Sequence, residues 1–223
     1  MEKSKISNSR KKLYLFIFFG TLFLLLCIFI LPKIHSQKVY TASELNIVEL
    51  KSPIDKDNDG IDDYTDIMLG ARNYIQTKPK YKSKYYSNGG YPDDGYGVCT
   101  DVIWNAFQEA GYSLKDLLDE DIKNNPDAYP TIETPDPNID FRRVRNLKIF
   151  LERHAQILET DLSNPENWQP GDIITTSSHI MICSDKRNAK GFPFIIHHDN
   201  LSPREANEIQ NHNITGHYRF NPH

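Results

Sequence analysis

The hydrophobic period of this chain changes once, at Trp168-Gln169-Pro170-Gly171, and that change limits the folds open to it. Before it, apolar residues recur at helical spacing. Ile67, Ala71, Tyr74 and Ile75 share one face of a helix expected over residues 65–77, and Val102, Ile103, Ala106, Phe107 and Ala110 share a face of one that follows Cys99 and stops at Gly111. Ser113 is placed to cap a short helix over 114–123, which Asn125-Pro126 ends. Val144, Leu147, Phe150 or Leu151, and His154 mark a further helix over 142–154. After the change come short, isoleucine-rich runs separated by turn residues, at 172–176, 179–184, 192–198 and 214–220. Helices first and an antiparallel sheet afterwards predict an α+β domain, with Cys99 at a helix start packed on a small sheet. Residues 78–98 and 126–140 read as loops, and there is no internal repeat.

The first twelve residues are basic, and an uncharged apolar run, Leu13–Leu31, follows. Nineteen helical residues reach about 28 Å, near the thickness of a bilayer's hydrocarbon core. The run predicts a transmembrane anchor at 13–31, with 1–12 in the cytoplasm, a polar linker at 32–54 and the domain outside the cell. A cleaved signal peptide, giving a secreted protein, is the rival, but there is no small-residue cleavage pattern near Pro32–Ser36. Without residues 1–37 the chain carries 20 basic residues against 29 acidic, a net charge of −9, which argues against nucleic acid as a partner. That portion has two cysteines, Cys99 and Cys183. Outside the cell they can pair, and a disulfide between them would exclude a nucleophilic Cys99.

Ahead of the first domain helix stands Asp55-Lys56-Asp57-Asn58-Asp59-Gly60-Ile61-Asp62-Asp63-Tyr64-Thr65-Asp66. Counted from Asp55, carboxylates fall at positions one, three, five, nine and twelve, glycine at six, and the Ile61 carbonyl at seven. A twelve-residue calcium loop has this spacing: hard oxygen ligands converge around a sharp turn at glycine. The expected ligands are Asp55, Asp57, Asp59, Ile61, Asp63 and Asp66, with Asp66 replacing the usual glutamate. The competing reading is a solvated acidic linker.

The chemistry centres on Gly95-Tyr96-Gly97-Val98-Cys99-Thr100-Asp101. A cysteine opening a helix lies among free N–H groups at the positive dipole end, which favours thiolate and predicts a depressed pKa. The competing reading is a buried structural cysteine. His179 begins an apolar strand, and His197-His198 closes the next one. An antiparallel strand pair brings those ends together, so that His197 can orient His179 while His198 points to the opposite face. A histidine base, a third polar group to orient it and backbone N–H groups for an oxyanion make up an acyl-transfer site. Cys183 reads as core. His197-His198-Asp199 offers metal-ligand residue types without further ligands at matching spacing.

At these residues the chain resembles the NlpC/P60-like, papain-fold cysteine peptidases, through Tyr86-Ser87-Asn88-Gly89-Gly90, Gly97-Val98-Cys99 and Gln169-Pro170-Gly171-Asp172. More closely it resembles the DUF1287 family within them. The matching stretches are Gly97-Val98-Cys99-Thr100-Asp101-Val102, Pro135-Asp136-Pro137-Asn138-Ile139-Asp140, Arg142-Arg143-Val144, Gly171-Asp172-Ile173, His179-Ile180 and Ile214-Thr215-Gly216-His217-Tyr218-Arg219. Val98 and Thr100 replace the Asp and Ser that usually flank the NlpC/P60 cysteine, and His198 stands where DUF1287 relatives carry Asn, which leaves both His197 and His198 as candidates for the orienter. The resemblance covers about residues 65–220 and implies a papain-like NlpC/P60-type domain over 65–223.

What the resemblance implies is a cysteine hydrolase, an amidase or endopeptidase, acting on peptidoglycan or another cell-envelope amide. Cys99 would be the nucleophile, His179 the base, His197 the orienter and Tyr86 an oxyanion contact. No organic cofactor is expected, and calcium is expected as a structural ion. Two alternatives stay open: a non-catalytic, calcium-dependent surface-binding module on the same fold, and an acyl transferase using the same cysteine.

Overall fold

The structure, a computed structural model, describes residues 2–29 and 38–221, with side chains over 12–25 and 38–221. It divides into two units, Met1–Lys38 and Val39–His223. The first holds one helix, α1 (Glu2–Phe29). Among the described residues no helix is long and apolar enough to cross a membrane. This corrects the expectation of a single-pass anchor at 13–31 and the membrane localisation built on it. The end of that expected span, residues 30–31, lies outside the described residues.

The second unit is the α+β domain. Its helices are α2 (Asp63–Gln76), α3 (Cys99–Glu109), α4 (Leu114–Asn124) and α5 (Val144–His154). Each start has a local cause. Asp62 caps α2 by accepting the Thr65 N–H, and Ser113 caps α4 by accepting the Asp116 N–H. Asp101 reaches back to the Val98 N–H at 2.7 Å and closes the first turn of α3. A parallel pair of two-residue strands, β1 (Lys80–Tyr81) and β2 (Tyr96–Gly97), leads into that turn.

The remaining strands are β3 (Ala155–Ile157), β4 (Ile173–Thr175), β5 (Ile180–Arg187), β6 (Pro193–His198), β7 (Pro203–Ala206) and β8 (Gly216–Phe220). They form one sheet in the order β3-β8-β4-β5-β6-β7, every neighbouring pair antiparallel. Strand alternation sorts its side chains into two cores. Ile173, Ile180, Ile182, Ile196, Tyr218 and Phe220 pack with Ile67, Val102, Ile103, Phe107 and Leu147 of the helices. Ile174, Met181, Cys183 and Ile195 pack on the other face with Trp168, Phe192 and Ile209. Fully burying one such side chain contributes roughly 1.5–3 kcal/mol, so the two cores hold the sheet from both sides.

Residues 39–54 lie on the domain. Tyr40 forms a bridge with Arg187, the Leu50 N–H donates to Gln169 at 3.0 Å, and Ala42 and Ile47 are buried. Residues 126–140 include the one-turn helix Pro126–Ala128 and lead into another at Asp140–Arg142, where Asp140 is buried and accepts from the Asp136 N–H.

Candidate functional site

Cys99 is the first residue of α3 and is 5 % exposed. The backbone N–H groups of Ile180, Thr100 and Cys99 itself point at its sulfur. Burial outweighs them and pushes the thiol up to about 11, so the depressed pKa expected from the helix start is corrected. The helix start supplies N–H groups, but the surrounding core withholds the water that would solvate a thiolate.

The signature around Cys99 is a set of close contacts. A Cβ on Gly97 would lie 2.1 Å from the Tyr74 hydroxyl, so only glycine fits there. Thr100 donates to the Arg142 carbonyl at 3.2 Å. Asp101 takes the Val98 N–H, the Trp104 indole N–H at 2.8 Å, and a two-pronged pair from Arg142 at 2.7 and 2.9 Å. Arg142 is buried, and Asp101 holds it.

His179 directly precedes the Ile180 N–H that meets the sulfur. Its Nε2 lies 2.8 Å from Nδ1 of His197, and Nε2 of His197 lies 2.5 Å from Oε1 of Glu208. Arg204 donates to Glu208 at 2.8 Å and holds Asp199 with two bonds. The tautomers follow from the end of this chain. Burial opposes charge on Glu208, but hydrogen bonds from Arg204 and His197 keep its pKa below the ordinary value, so it is a carboxylate and only accepts. His197 then donates from Nε2 and accepts at Nδ1, and His179 donates from Nε2. The lone pair of His179 is left on Nδ1. Burial, with the His197 and His212 rings, lowers His179 to about 4, and burial lowers His197 too. Thiol and imidazole are both neutral at pH 7.

His198 is on the other face. Continuing the Ile182–Ile196 register sets it opposite Ile180, and its Nδ1 lies 3.0 Å from the Tyr74 hydroxyl. Its buried Nε2 has no hydrogen-bond partner, and Tyr81 meets its ring edge-on at 5.2 Å. Tyr81 also lines a cavity of about 560 Å³ with Lys78, Lys80, Leu201 and Pro203. Tyr86 donates its hydroxyl to Asp94 at 2.8 Å, and its ring lies 5.0 Å from the Arg142 guanidinium. Its hydroxyl hydrogen is therefore spent, and the N–H groups that meet the Cys99 sulfur come from the backbone.

Cys183 is fully buried on the sheet face away from Cys99, and both cysteines are free. His217 stacks on Trp168 at 3.9 Å, with Nε2 2.8 Å from Asp172, a structural contact. His154 pairs with Asp121 at 3.0 Å.

Two clusters have metal-ligand chemistry. The sequence grouping His197-His198-Asp199 is split between faces, but His197, Glu208 and His212 each present one ligand atom within 4.8 Å of the others. Both His197 nitrogens are already bonded, so an ion there would break the chain that orients His179. Asp55, Asp57 and Asp59 converge within the same limit. Asp66 is buried behind them, Ile61 lies in the loop between, and Asp63 turns instead to Tyr112 and the Lys56 N–H.

Glu208 and Arg204 were not legible as site residues. They lie in a polar stretch after β6 without apolar period, and only the fold carries that stretch back under His197.

A family profile described as "Domain of unknown function (DUF1287)" matches residues 68–220. Among curated proteins, the "Uncharacterized protein YijF" of Escherichia coli (strain K12) is 34% identical over 166 residues, covering 69% of this chain and 80% of that protein. No solved structure matches the chain significantly.

Proposed function

This chain belongs to the DUF1287 family, and from that premise we propose that it is a cysteine hydrolase of amide bonds, with an NlpC/P60-like, papain-type site. The observation that carries the reading is the directed chain Glu208–His197–His179, which leaves a lone pair on the histidine next in sequence to Ile180, whose N–H meets the sulfur of the helix-start Cys99. In the reaction, Cys99 Sγ attacks the amide carbonyl as His179 Nδ1 takes its proton. The oxygen of the tetrahedral adduct is held by N–H groups at the start of α3. His179 returns the proton to the departing amine, leaving a thioester on Cys99. Water then adds with His179 again as base, and the carboxylic acid leaves. Because thiol and imidazole rest neutral, the proton moves during attack and there is no stored thiolate–imidazolium pair.

The NlpC/P60 resemblance supplies the substrate class, peptide amides of the cell wall. Lys78 and Lys80 beside the Tyr81 cavity suit a peptide carrying free carboxylates. The test is incubation of the full chain with purified peptidoglycan, followed by mass spectrometry of the soluble products. The reading expects peptide fragments with new amine and carboxylate ends, absent with Cys99→Ala. Equal release by Cys99→Ala, or no release by the wild type, would reject it. Fragments joined to an added amine would shift the reading to acyl transfer.

A further inference from the structure

The loop ahead of α2 is left out of the hydrolase reading, and it lies outside the family match, which begins at residue 68. We infer that Asp55, Asp57, Asp59, the Ile61 carbonyl and Asp66 form a calcium site that fastens the start of α2 to the turn behind the Cys99 helix. Three carboxylates present oxygens within 4.8 Å of one another. The independent observation is Asp66. It is 2 % exposed, and its Oδ2 is buried without a hydrogen-bond partner. A buried, unpaired carboxylate oxygen is costly unless something else satisfies it.

Asp66 lies in the first turn of α2, at the twelfth position of the loop, and Asp59 and Asp57 are the acidic groups nearest in effect to it. The nearby lysines are engaged elsewhere: Lys51 pairs with Asp62 at 3.2 Å, and Lys56 lies over the Tyr112 ring. A cation among the four carboxylates would satisfy the orphaned oxygen and remove their mutual repulsion. The all-oxygen donor set selects a hard ion, and its irregular geometry suits calcium better than magnesium, with water completing the shell.

Asp63 explains what the ion would fasten. Its Oδ2 accepts from the Tyr112 hydroxyl at 2.6 Å and its Oδ1 from the Lys56 N–H at 2.9 Å. It is thus removed from the ligand set expected from sequence and joins the loop to the turn after α3. At that turn a Cβ on Gly111 would lie 2.9 Å from Cβ of Asp57. The loop therefore touches the α3–α4 turn through two neighbouring residues, Gly111 and Tyr112, while its own end caps α2.

The test is thermal unfolding of the chelator-treated full chain with added calcium, magnesium or EGTA, together with terbium luminescence sensitised by the nearby tyrosines. Calcium at one hundred times its Kd should raise Tm by roughly 5–10 °C, magnesium by much less. Asp57→Asn with Asp59→Asn, and separately Asp66→Asn, should lose most of the shift and the terbium signal. Cys99→Ala should keep both, which separates this inference from the hydrolase reading. A shift that survives in both sets of variants, or no shift and no terbium signal in the wild type, overturns the site. Terbium binding without a calcium shift overturns the fastening role.

Discussion

His179 Nε2 and His197 Nδ1 lie 2.8 Å apart on one face of the sheet, and the second nitrogen of His197 is held by Glu208. This relationship gives His179 a defined tautomer, set by a carboxylate at the far end of the chain.

The first prediction concerns that carboxylate. Glu208→Ala should lower kcat on the order of 100-fold with little change in KM, because a wrong tautomer leaves binding intact. Glu208→Gln, which can still accept from His197, should fall between that variant and wild type. Steady-state kinetics on released peptide measure both. A Glu208→Ala enzyme within twofold of wild type would separate the pair from catalysis.

The pH profile follows from the same residues. In the proposed reaction His179 acts as base only when neutral, and burial lowers it to about 4. Activity should therefore hold from neutral pH to about 5 and fall as pH drops through 4. Stability carries the same sign. The unfolded histidine, with a pKa near 6.5, binds its proton first, so each pH unit lowered between 6.5 and 4 costs about 1.4 kcal/mol for this group. His197, His198 and His212 are lowered by burial as well and add to the loss, while Asp66, raised to about 7, opposes it. Urea unfolding across pH 4–7 measures the slope.

Alkylation of the thiols gives a third check. With Cys99 pushed up to about 11, iodoacetamide should label it slowly at pH 6 and increasingly fast toward pH 10. Cys183, fully buried and held well above the ordinary thiol range by that burial, should stay unlabelled until the domain unfolds. Rapid labelling of Cys99 at pH 6, read by peptide mass spectrometry, would mean that a thiolate is stored after all.

Much of this was legible in the sequence, and the omissions share a cause. The cysteine-bearing helix, the Ser113 cap and four of the six strands of the large sheet follow from periodicity and turn chemistry, which are local. β3 and β7 escaped because they are short edge strands whose side chains are polar or half-exposed, so no alternation marks them. The partner of Arg142 is Asp101, forty-one residues earlier, and only the fold brings the two together. The thiol's direction was missed because a helix start can be read from sequence, whereas the burial that outweighs it comes from the core assembled around Cys99. Glu208 reaches His197 only through the return of the chain along β7.

The buried ion pair should be one of the costliest contacts to break. Arg142 and Asp101 have side chains 2% and 0% exposed, and Asp101 also holds the Val98 N–H just before Cys99. Arg142→Met leaves Asp101 charged and unmatched, and should cost roughly 3–5 kcal/mol in denaturant unfolding. Arg142→Lys keeps charge without the two-pronged geometry and should cost less. A loss under about 1 kcal/mol for the methionine variant would show that Asp101 finds other partners.

Gly97 supplies the last prediction, which tests how the signature is built. A methyl group there meets the Tyr74 hydroxyl oxygen at 2.1 Å, while its next neighbours, Asp101 Oδ2 and Tyr74 Cζ, lie at 3.3 and 3.4 Å. Tyr74 is 8% exposed, and its hydroxyl bonds His198, so it has little room to retreat. Gly97→Ala should therefore destabilise the domain by about 2–3 kcal/mol through overpacking. Tyr74→Phe removes the clashing oxygen but also a partner of His198, and should cost roughly 1–2 kcal/mol alone. The double variant should be more stable than Gly97→Ala alone, because the methyl then meets only contacts it can satisfy by shifts of a few tenths of an ångström. The sign of the coupling energy from the four-protein cycle decides the matter. Additive losses would mean that Gly97 is required for its backbone rather than for the space it leaves to Tyr74, and that the tyrosine does not set the approach of the chain to Cys99.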